Sequence, residues 1–421
     1  RWRHGRGCQQ AYAWDLGKNK MSEKSIKGTA SDITNVTVAS DEIRPLRLGM
    51  VGGGRDAFIG AVHRIAARMD NNFQLVAGAL SSTSEKALAS AADLGLAKAR
   101  AYSDFRQMAM REARLKDGIE VVAIVTPNHM HAPIAKEFLR RNIHVICDKP
   151  LTATLSDAKS LAKAAERSDA LFVLTHNYTG YPMVRQAREM ISNGDLGDVR
   201  VVQVEYAQDW LSEPLENTGL KQAEWRTDPT RSGAGGATGD IGTHAYNLAS
   251  FISGLTLKRL CADLDSFVDG RKVDDNGHVL LQFEGGAKGM LWCSQVAAGN
   301  ENSLSIRVFG SKGGIEWHQE DPNYLWYTPL GEPKRLITRN GAGAGGAAAR
   351  MSRIPPGHPE GYLEGFANIY AEAAAAIRAK NGRRDPSPEI LYPTLQDGLA
   401  GVAFVDACVK SSKRKGAWVN V

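Results

Sequence analysis

From Pro45 onward the chain alternates short apolar runs with longer segments whose apolar residues recur at helical spacing. The runs read LRLGMV, FQLVAGAL, a weak one near Tyr102, VVAIVTP, IHVICDKP and LFVLTHN, and the segments between them include SEKALASAADLG and PIAKEFLRRN. Strand–helix alternation of this length predicts a parallel, doubly wound sheet. After about Asn193 the rhythm changes to longer runs of period two, VRVVQVEYAQ, GHVLLQF, KGMLWCSQV and LSIRVFG, with EGGA and SKGG placed as hairpin turns. This half is expected to be a largely antiparallel sheet with helices. A further helix is expected from Gly361 to Lys380, and GAGAGGAAA, Gly341 to Ala349, has the composition of a flexible loop.

The stretch from Met21 to Arg44 holds few large apolar residues. Residues 1–43 are therefore expected to form a disordered tail, with Met21 a candidate natural start. A chain of 421 residues with 43% hydrophobic content has the length for about two to three domains and ample apolar surface for their cores. The net charge of +6 suggests a polyanionic partner only until it is located, because residues 1–20 supply +4 of it. The remaining +2 makes no basic groove, and Lys413-Arg414-Lys415 reads as a solvated run, so no nucleic acid is expected as a partner. No apolar run approaches the ~18 residues of a bilayer span, and the first residues lack the order of a secretory signal. No membrane association is expected, and the cytoplasm is the expected compartment. The five cysteines are odd in number and include no C-x-x-C pair, which favours buried thiols over a disulfide scaffold or a cysteine metal site.

Directly after the first run, GMVGGGRDA places Gly52, Gly54 and Ala57 in the G-x-G-x-x-[G/A] spacing of a dinucleotide site. The first glycine permits the tight turn, the second lets a pyrophosphate approach the backbone, and the small third residue lets the next helix pack on the sheet. Glycines in any strand-to-helix turn can mimic this spacing; its place after the first strand of an alternating pattern makes NAD(P) the expected cofactor. The second run ends at Leu80-Ser81-Ser82, where an acidic residue commonly grips the ribose 2′-hydroxyl of NAD. Without that carboxylate, Ser81, Ser82 and Lys86 could hold a 2′-phosphate, so NADP is slightly favoured over NAD. The competing reading of the serines is a helix cap.

The fifth run, IHVIC, ends in Asp148-Lys149-Pro150, and ligands of doubly wound sheets bind beyond the carboxyl ends of the strands. Lys149 is therefore expected to face the cofactor crevice on a backbone stiffened by Pro150. TPNHMH closes the fourth run and leaves Thr126, Pro127, Asn128, His129 and His131 at the same rim. No carboxylate or third ligand stands at a metal-binding spacing from the two histidines, so no metal is expected. In GGATGDIGTHAYNLASFISGL, Asp240 and His244 are four apart and His244 and Asn247 three apart, which puts all three on one face of a helix. Such a stripe could converge on a ligand, or be a helix N-terminal aspartate beside a structural histidine.

Four segments, GMVGGGRDA, TPNHMHAPIAKEFLRRNIHVICDKPLT, WRTDPTRSGAGGATGDIGTHAYN and GHPEGYLEGFANIYAEAAAAI, occur in order between about Arg44 and Val421. Together they resemble the glucose-fructose oxidoreductase/inositol dehydrogenase (Gfo/Idh/MocA) family. The resemblance implies an N-terminal Rossmann domain on NAD(P), expected over 44–168, and a C-terminal substrate-binding and oligomerising α/β domain with a large open, mostly antiparallel sheet, expected over 169–421. It implies hydride transfer to or from a sugar, inositol or related polyol. The family's E-K-P motif falls on Asp148-Lys149-Pro150, with Lys149 contacting substrate and nicotinamide, and with Asp148 one methylene shorter than the usual glutamate. The family's D-x-x-x-H-x-x-D pattern falls on Asp240, His244 and Asn247, with His244 as general acid/base, Asp240 supporting it and Asn247 replacing a frequent aspartate. Asn177, Tyr178, Trp225 and Arg226 are further expected to line the substrate pocket, although Trp and Arg serve structure as often as recognition. Two other readings stand beside it: a redox-neutral NAD-dependent glycosidase or lyase, which would use the same residues, and a non-catalytic cofactor-binding sensor, which the retention of Lys149 and His244 opposes and the departures at Asp148 and Asn247 leave open. A homodimer or homotetramer is expected, because KGMLWCSQV carries apolar residues in both alternations, Met290 and Trp292 on one side and Leu291 and Cys293 on the other.

Overall fold

The computed structural model describes residues 44–421 except 383, 384 and 388, so the expectations for residues 1–43, Met21 included, lie outside the described residues. Five strands, β1 Leu46–Gly52, β2 Phe73–Ala79, β3 Val121–Val125, β4 His144–Cys147 and β5 Phe172–Leu174, form a sheet in the order β2-β1-β3-β4-β5. All pairings in it are parallel. Because successive side chains point to opposite faces, each strand serves two cores. Val121, Ala123 and Val125 of β3 join one with Leu48 and Met50, whereas Val122 and Ile124 join the other with Val145 and Cys147. The first core is closed by Val62 and Ala66 of helix Phe58–Met69 and by Phe366, Ile369 and Tyr370 of helix Tyr362–Asn381. The second is closed by Ile134, Phe138 and Leu161 of helices His131–Leu139 and Leu155–Ala165.

Two expectations are corrected here. The weak run near Tyr102 is not a strand: a tight turn at Lys98–Arg100 precedes it, and Asp104 caps the helix Phe105–Glu112. Only a single bridge between Gly78 and Ala101 remains. The parallel sheet also runs past residue 168, because β5 pairs with β4, and it borrows helix Tyr362–Asn381 from the far end of the chain.

The second sheet contains β6 Val199–Ala207, β7 Leu257–Asp265, β8 Asn276–Phe283, β9 Lys288–Ser294, β10 Ser303–Gly310, β11 Gly313–His318, β12 Tyr324–Pro329, β13 Arg335–Thr338 and β14 Val419–Asn420. Its order is β13-β12-β11-β10-β6-β9-β8-β7-β14. Only β6 and β9 pair in parallel; the other pairings are antiparallel. EGGA turns β8 into β9 with Gly285 and Gly286 at φ 76° and 98°, a region that favours glycine, and SKGG turns β10 into β11. Helices Pro182–Ser192, Thr243–Ser253 and Leu395–Lys413 pack on one face, where Leu291 and Cys293 are buried. On the other face Met290, Leu280 and Phe309 are 47%, 51% and 41% exposed.

The glycine-alanine segment is not a free loop. Residues Gly346–Arg350 form a short helix in which Ala348 is fully buried, and the Gly345 N–H donates to Gln186 Oε1 at 2.6 Å. Small side chains let this segment lie against helix Pro182–Ser192, on the helical side of the sheet and away from its exposed face. Among the described residues no helix is long and apolar enough to cross a membrane.

Candidate active site

The carboxyl ends of β1 to β4 open onto a cavity of about 1440 Å³, whose far wall comes from the nine-stranded sheet. At the β1 end, Gly52 and Gly53 have φ of 79° and 70°, and a Cβ on Gly52 would overlap the Val125 carbonyl oxygen. Gly54 and Ala57 line the cavity beside them. The close approach of helix to strand depends on Gly60, however, where a Cβ would overlap the Gly53 carbonyl; sequence spacing had assigned that role to Ala57. The helix Phe58–Met69 begins without a side-chain cap and without an acidic residue in its first turn. Its free N–H groups and positive dipole end are therefore available to an anion.

Ser81, Ser82 and Lys86 line the cavity at the end of β2, and Lys86 Nζ is 2.8 Å from Asp56 Oδ2. The helix after the serines receives no side-chain cap, which removes the capping role as their explanation. Thr126, Pro127 and Asn128 line the cavity at the end of β3. Thr126 Oγ1 is buried without a hydrogen-bond partner, and Asn128 Nδ2 donates to the Ser232 carbonyl at 2.9 Å. His131 is off this wall. It is fully buried, with Nδ1 2.8 Å from the Pro150 carbonyl oxygen and Nε2 2.7 Å from that of Thr126, so it braces two strand ends instead of touching a ligand. The uncapped helix end, the glycine turn without room for Cβ and the unpartnered Thr126 hydroxyl fit a dinucleotide.

Lys149 follows β4, and its peptide bond to Pro150 is cis. Its Nζ donates to Asp240 Oδ1 at 2.9 Å and to the Asp240 carbonyl at 2.8 Å. Asp240 Oδ2 also receives Arg226 Nε at 3.2 Å and Gln295 Nε2 at 3.0 Å. Burial alone would raise the Asp240 pKa, but the cations Lys149 and Arg226 hold it well below the usual carboxylate range. The neighbouring Asp148 accepts from Thr175 Oγ1 at 3.0 Å and lies 3.7 Å from His63 Nε2.

Asp240 sits in a single π turn, Thr238–Gly242, that leads into helix Thr243–Ser253. Asp240 and His244 both line the cavity; Asn247 does not. Three residues past His244, Asn247 stands about 4.5 Å further along the helix axis, and its side chain is buried away from the site. The His244 ring packs edge-on against Tyr178 at 4.9 Å and His176 at 5.4 Å. No described side chain hydrogen-bonds its nitrogens. Burial, followed by the positive charge of Lys149 and by His176, pushes its pKa well below the ordinary value, while Asp240 opposes the shift. A neutral imidazole with free nitrogens results. Asp240 therefore acts on His244 through space, its oxygens being taken by Lys149, Arg226 and Gln295.

Asn177 and Tyr178 enter from the turn after β5, and the Asn177 Nδ2 is buried without a partner. Trp225 and Arg226 both line the cavity, the guanidinium lying 4.3 Å over the Trp225 ring and 5.9 Å from Trp210. Sequence reasoning missed Tyr206, Gln208, Asn302 and Gln319, which also line the cavity. They arrive from β6 and from residues flanking β10 and β11, so no local spacing links them; polar residues at strand ends were the only signal.

Residues 46–176 match the oxidoreductase family with an NAD-binding Rossmann fold, and residues 184–316 match the GFO/IDH/MocA C-terminal domain. An uncharacterized oxidoreductase of Bacillus subtilis is 37% identical over 382 residues, covering 90% of this chain and 97% of that protein. The crystal structure of an oxidoreductase from Sinorhizobium meliloti shares 66% identity at a TM-score of 0.81, covering 89% of this chain and 99% of the other. An inositol dehydrogenase homolog from Azotobacter vinelandii, solved with NADH and myo-inositol, shares 36% identity at a TM-score of 0.83, covering 90% and 98%.

Proposed function

The chain belongs to the GFO/IDH/MocA family of NAD-binding oxidoreductases, and on that premise we propose that it is a dehydrogenase or reductase of a sugar, inositol or related polyol. The observation that carries this reading is the meeting of Lys149, Asp240 and an unbonded, neutral His244 in one cavity with a glycine turn and an uncapped helix end. The parallel half would hold the cofactor, at Gly52, Gly54, Thr126 and the helix terminus, and the antiparallel half most of the substrate. When bound, the nicotinamide supplies the hydride acceptor or donor. His244 takes the hydroxyl proton in the oxidative direction, which its neutral state permits. Lys149, fixed by two bonds to Asp240, stabilises negative charge developing on the substrate oxygen. Arg226 is held beside them by the same carboxylate and by Gln222.

At the adenosine end Ser81 and Ser82 present no carboxylate, so NADP is accepted at least as readily as NAD. Lys86 is shared with Asp56, which keeps that preference slight. Nicotinamide chemistry and the unpaired thiols Cys147, Cys261, Cys293 and Cys408 suit the cytoplasm. Leu280, Met290 and Phe309 on the exposed sheet face suit a second subunit, in a dimer or tetramer burying more than ~1,000 Å². A stable monomer in sedimentation at micromolar concentration would defeat that assembly.

The deciding experiment incubates the protein with NAD or NADP and a panel of sugars, inositols and sugar acids, and follows reduced cofactor. Substrate-dependent reduction is expected. Product without accumulating reduced cofactor would replace the reading with a redox-neutral enzyme, and tight cofactor binding with no turnover would leave a sensor.

A further inference from the structure

We infer that Trp210 and Asn302 are positioning residues that fix two buried phenols, Tyr178 and Tyr206, as hydrogen-bond acceptors, so that the wall beside His244 takes the hydroxyl hydrogens of a neutral polyol and rejects a carboxylate or phosphate. The inference rests on the dehydrogenase reading above and narrows its substrate class.

The direction of every hydrogen bond in this wall follows from one group. An indole N–H can only donate. Trp210 Nε1 donates to Gln208 at 3.2 Å, so the atom it meets is the amide oxygen, and the Gln208 nitrogen is left to face Asn302 at 2.8 Å. The Asn302 atom in that contact is accordingly its oxygen, which also lies 2.7 Å from the Tyr206 hydroxyl. Tyr206 must donate its single hydrogen there. In the 2.6 Å contact between the two phenols, Tyr178 is then the donor and Tyr206 the acceptor. The Asn302 nitrogen completes the set by donating to Gln319 Oε1 at 2.8 Å and, at the longer distance of 3.4 Å, to the Tyr178 oxygen.

Both phenolic hydrogens are committed inside the wall, and lone pairs are all that the two phenolic oxygens can offer a ligand. Burial keeps both groups protonated by raising their pKa values. Tyr178 and Tyr206 line the cavity, and their rings pack 4.9 Å and 6.2 Å from the His244 ring, where a reacting carbinol would sit. A substrate hydroxyl meets such oxygens with its hydrogen. A carboxylate or phosphate meets them with lone pairs only and leaves buried polar groups unpaired, a mismatch that recognition sites reject strongly. Lys149 and Arg226 hydrogen-bond Asp240 and make no hydrogen bond to either phenol, so they do not change which hydrogens this wall offers a ligand.

The test measures ligand-induced shifts in melting temperature of the NADH-loaded protein. The probes are D-glucose with D-glucuronate and myo-inositol with inositol monophosphate. The neutral member of at least one pair is expected to stabilise the protein at concentrations at least about tenfold lower than its anionic counterpart. Asn302→Leu releases the Tyr206 hydrogen and is expected to bring the two within about threefold. Asn302→Asp keeps the acceptor and is expected to keep the discrimination. If Asn302→Leu does not fold, Trp210→Phe removes the indole donor that sets the polarity and is expected to relax the preference. Anions that bind as well as their neutral counterparts would overturn the inference. So would binding by neither class, or a folded leucine or phenylalanine variant that still discriminates. The dehydrogenase reading fails separately, by absence of cofactor reduction with a polyol that binds.

Discussion

At the cofactor end of the cavity the working parts are backbone and solvent-exposed charge, whereas at the substrate end they are side chains buried against one another. Gly52 and Gly53 shape the first end through φ angles of 79° and 70°, and its cation Lys86 pairs with an Asp56 that is 73% exposed. At the other end Lys149 and Asp240 are 16% and 18% exposed, and Arg226 and Gln295 complete the carboxylate's bonding. Exposed pairs are screened and contribute little, but removing one member of a buried set strands the others. The first end should therefore tolerate side-chain changes and resist backbone changes, and the second should do the reverse.

The sharpest test of that contrast is at the substrate end, where His244→Ala and Lys149→Ala are each expected to lower turnover by about a hundredfold or more. Affinity for NADH, measured by fluorescence titration, should change far less. Near-normal turnover in either variant would remove that residue from the mechanism.

At the cofactor end, Gly52→Ala is expected to weaken NADH binding by about tenfold, from strain of roughly 1–3 kcal/mol at a positive φ and overlap with the Val125 carbonyl. Turnover at saturating cofactor should stay within a few-fold of the parent. A fall in turnover with unchanged affinity would show that the two ends are not separable.

Protons distinguish the ends more gently. Since His244 is held neutral, the acid limb of kcat/KM should lie below pH ~6.5, where an ordinary histidine would place it. Stability follows the same sign. His144 and His176 are pushed down to about 4 and about 3 by burial, so the unfolded chain binds protons near pH ~6.5 that the folded chain refuses. Stability should fall below that pH by about 1.4 kcal/mol per unit for each such histidine, until its folded pKa is reached. A melting temperature unchanged between about pH 7 and pH 5 would contradict the buried neutral imidazoles.

The smallest effect is expected at Lys86. Lys86→Ala should lower the NADPH-to-NADH affinity ratio by only about threefold, because its exposed charge is screened and shared with Asp56. A loss of NADPH binding altogether would mean that this cation carries the 2′-phosphate alone.

Local order along the chain determined a good deal. Patterns of period two and of helical spacing specify both sheets, since a strand or helix must bury whichever face is apolar. The glycine turn was legible because only glycine suits a positive φ at Gly52 beside the Val125 carbonyl. Lys149 was legible because the end of a parallel strand fixes where a side chain emerges. The π turn at Thr238–Gly242 was not, because a one-residue change in helical register is invisible to a spacing rule, and neither was the departure of Asn247, which follows His244 on a regular helix but lies further along its axis than the cavity reaches.

Tertiary structure decided what distant segments do to one another. It laid helix Tyr362–Asn381 against the parallel sheet and gave His131 two carbonyl partners. It joined Asp240 to Lys149, Arg226 and Gln295, and Asn302 to Tyr206 and Gln208, across 91, 14, 55, 96 and 94 residues of chain respectively. The reason is physical: a backbone turn depends on its own dihedral angles, but a buried charge or hydroxyl takes its state from whichever donors and acceptors the fold brings within hydrogen-bond distance.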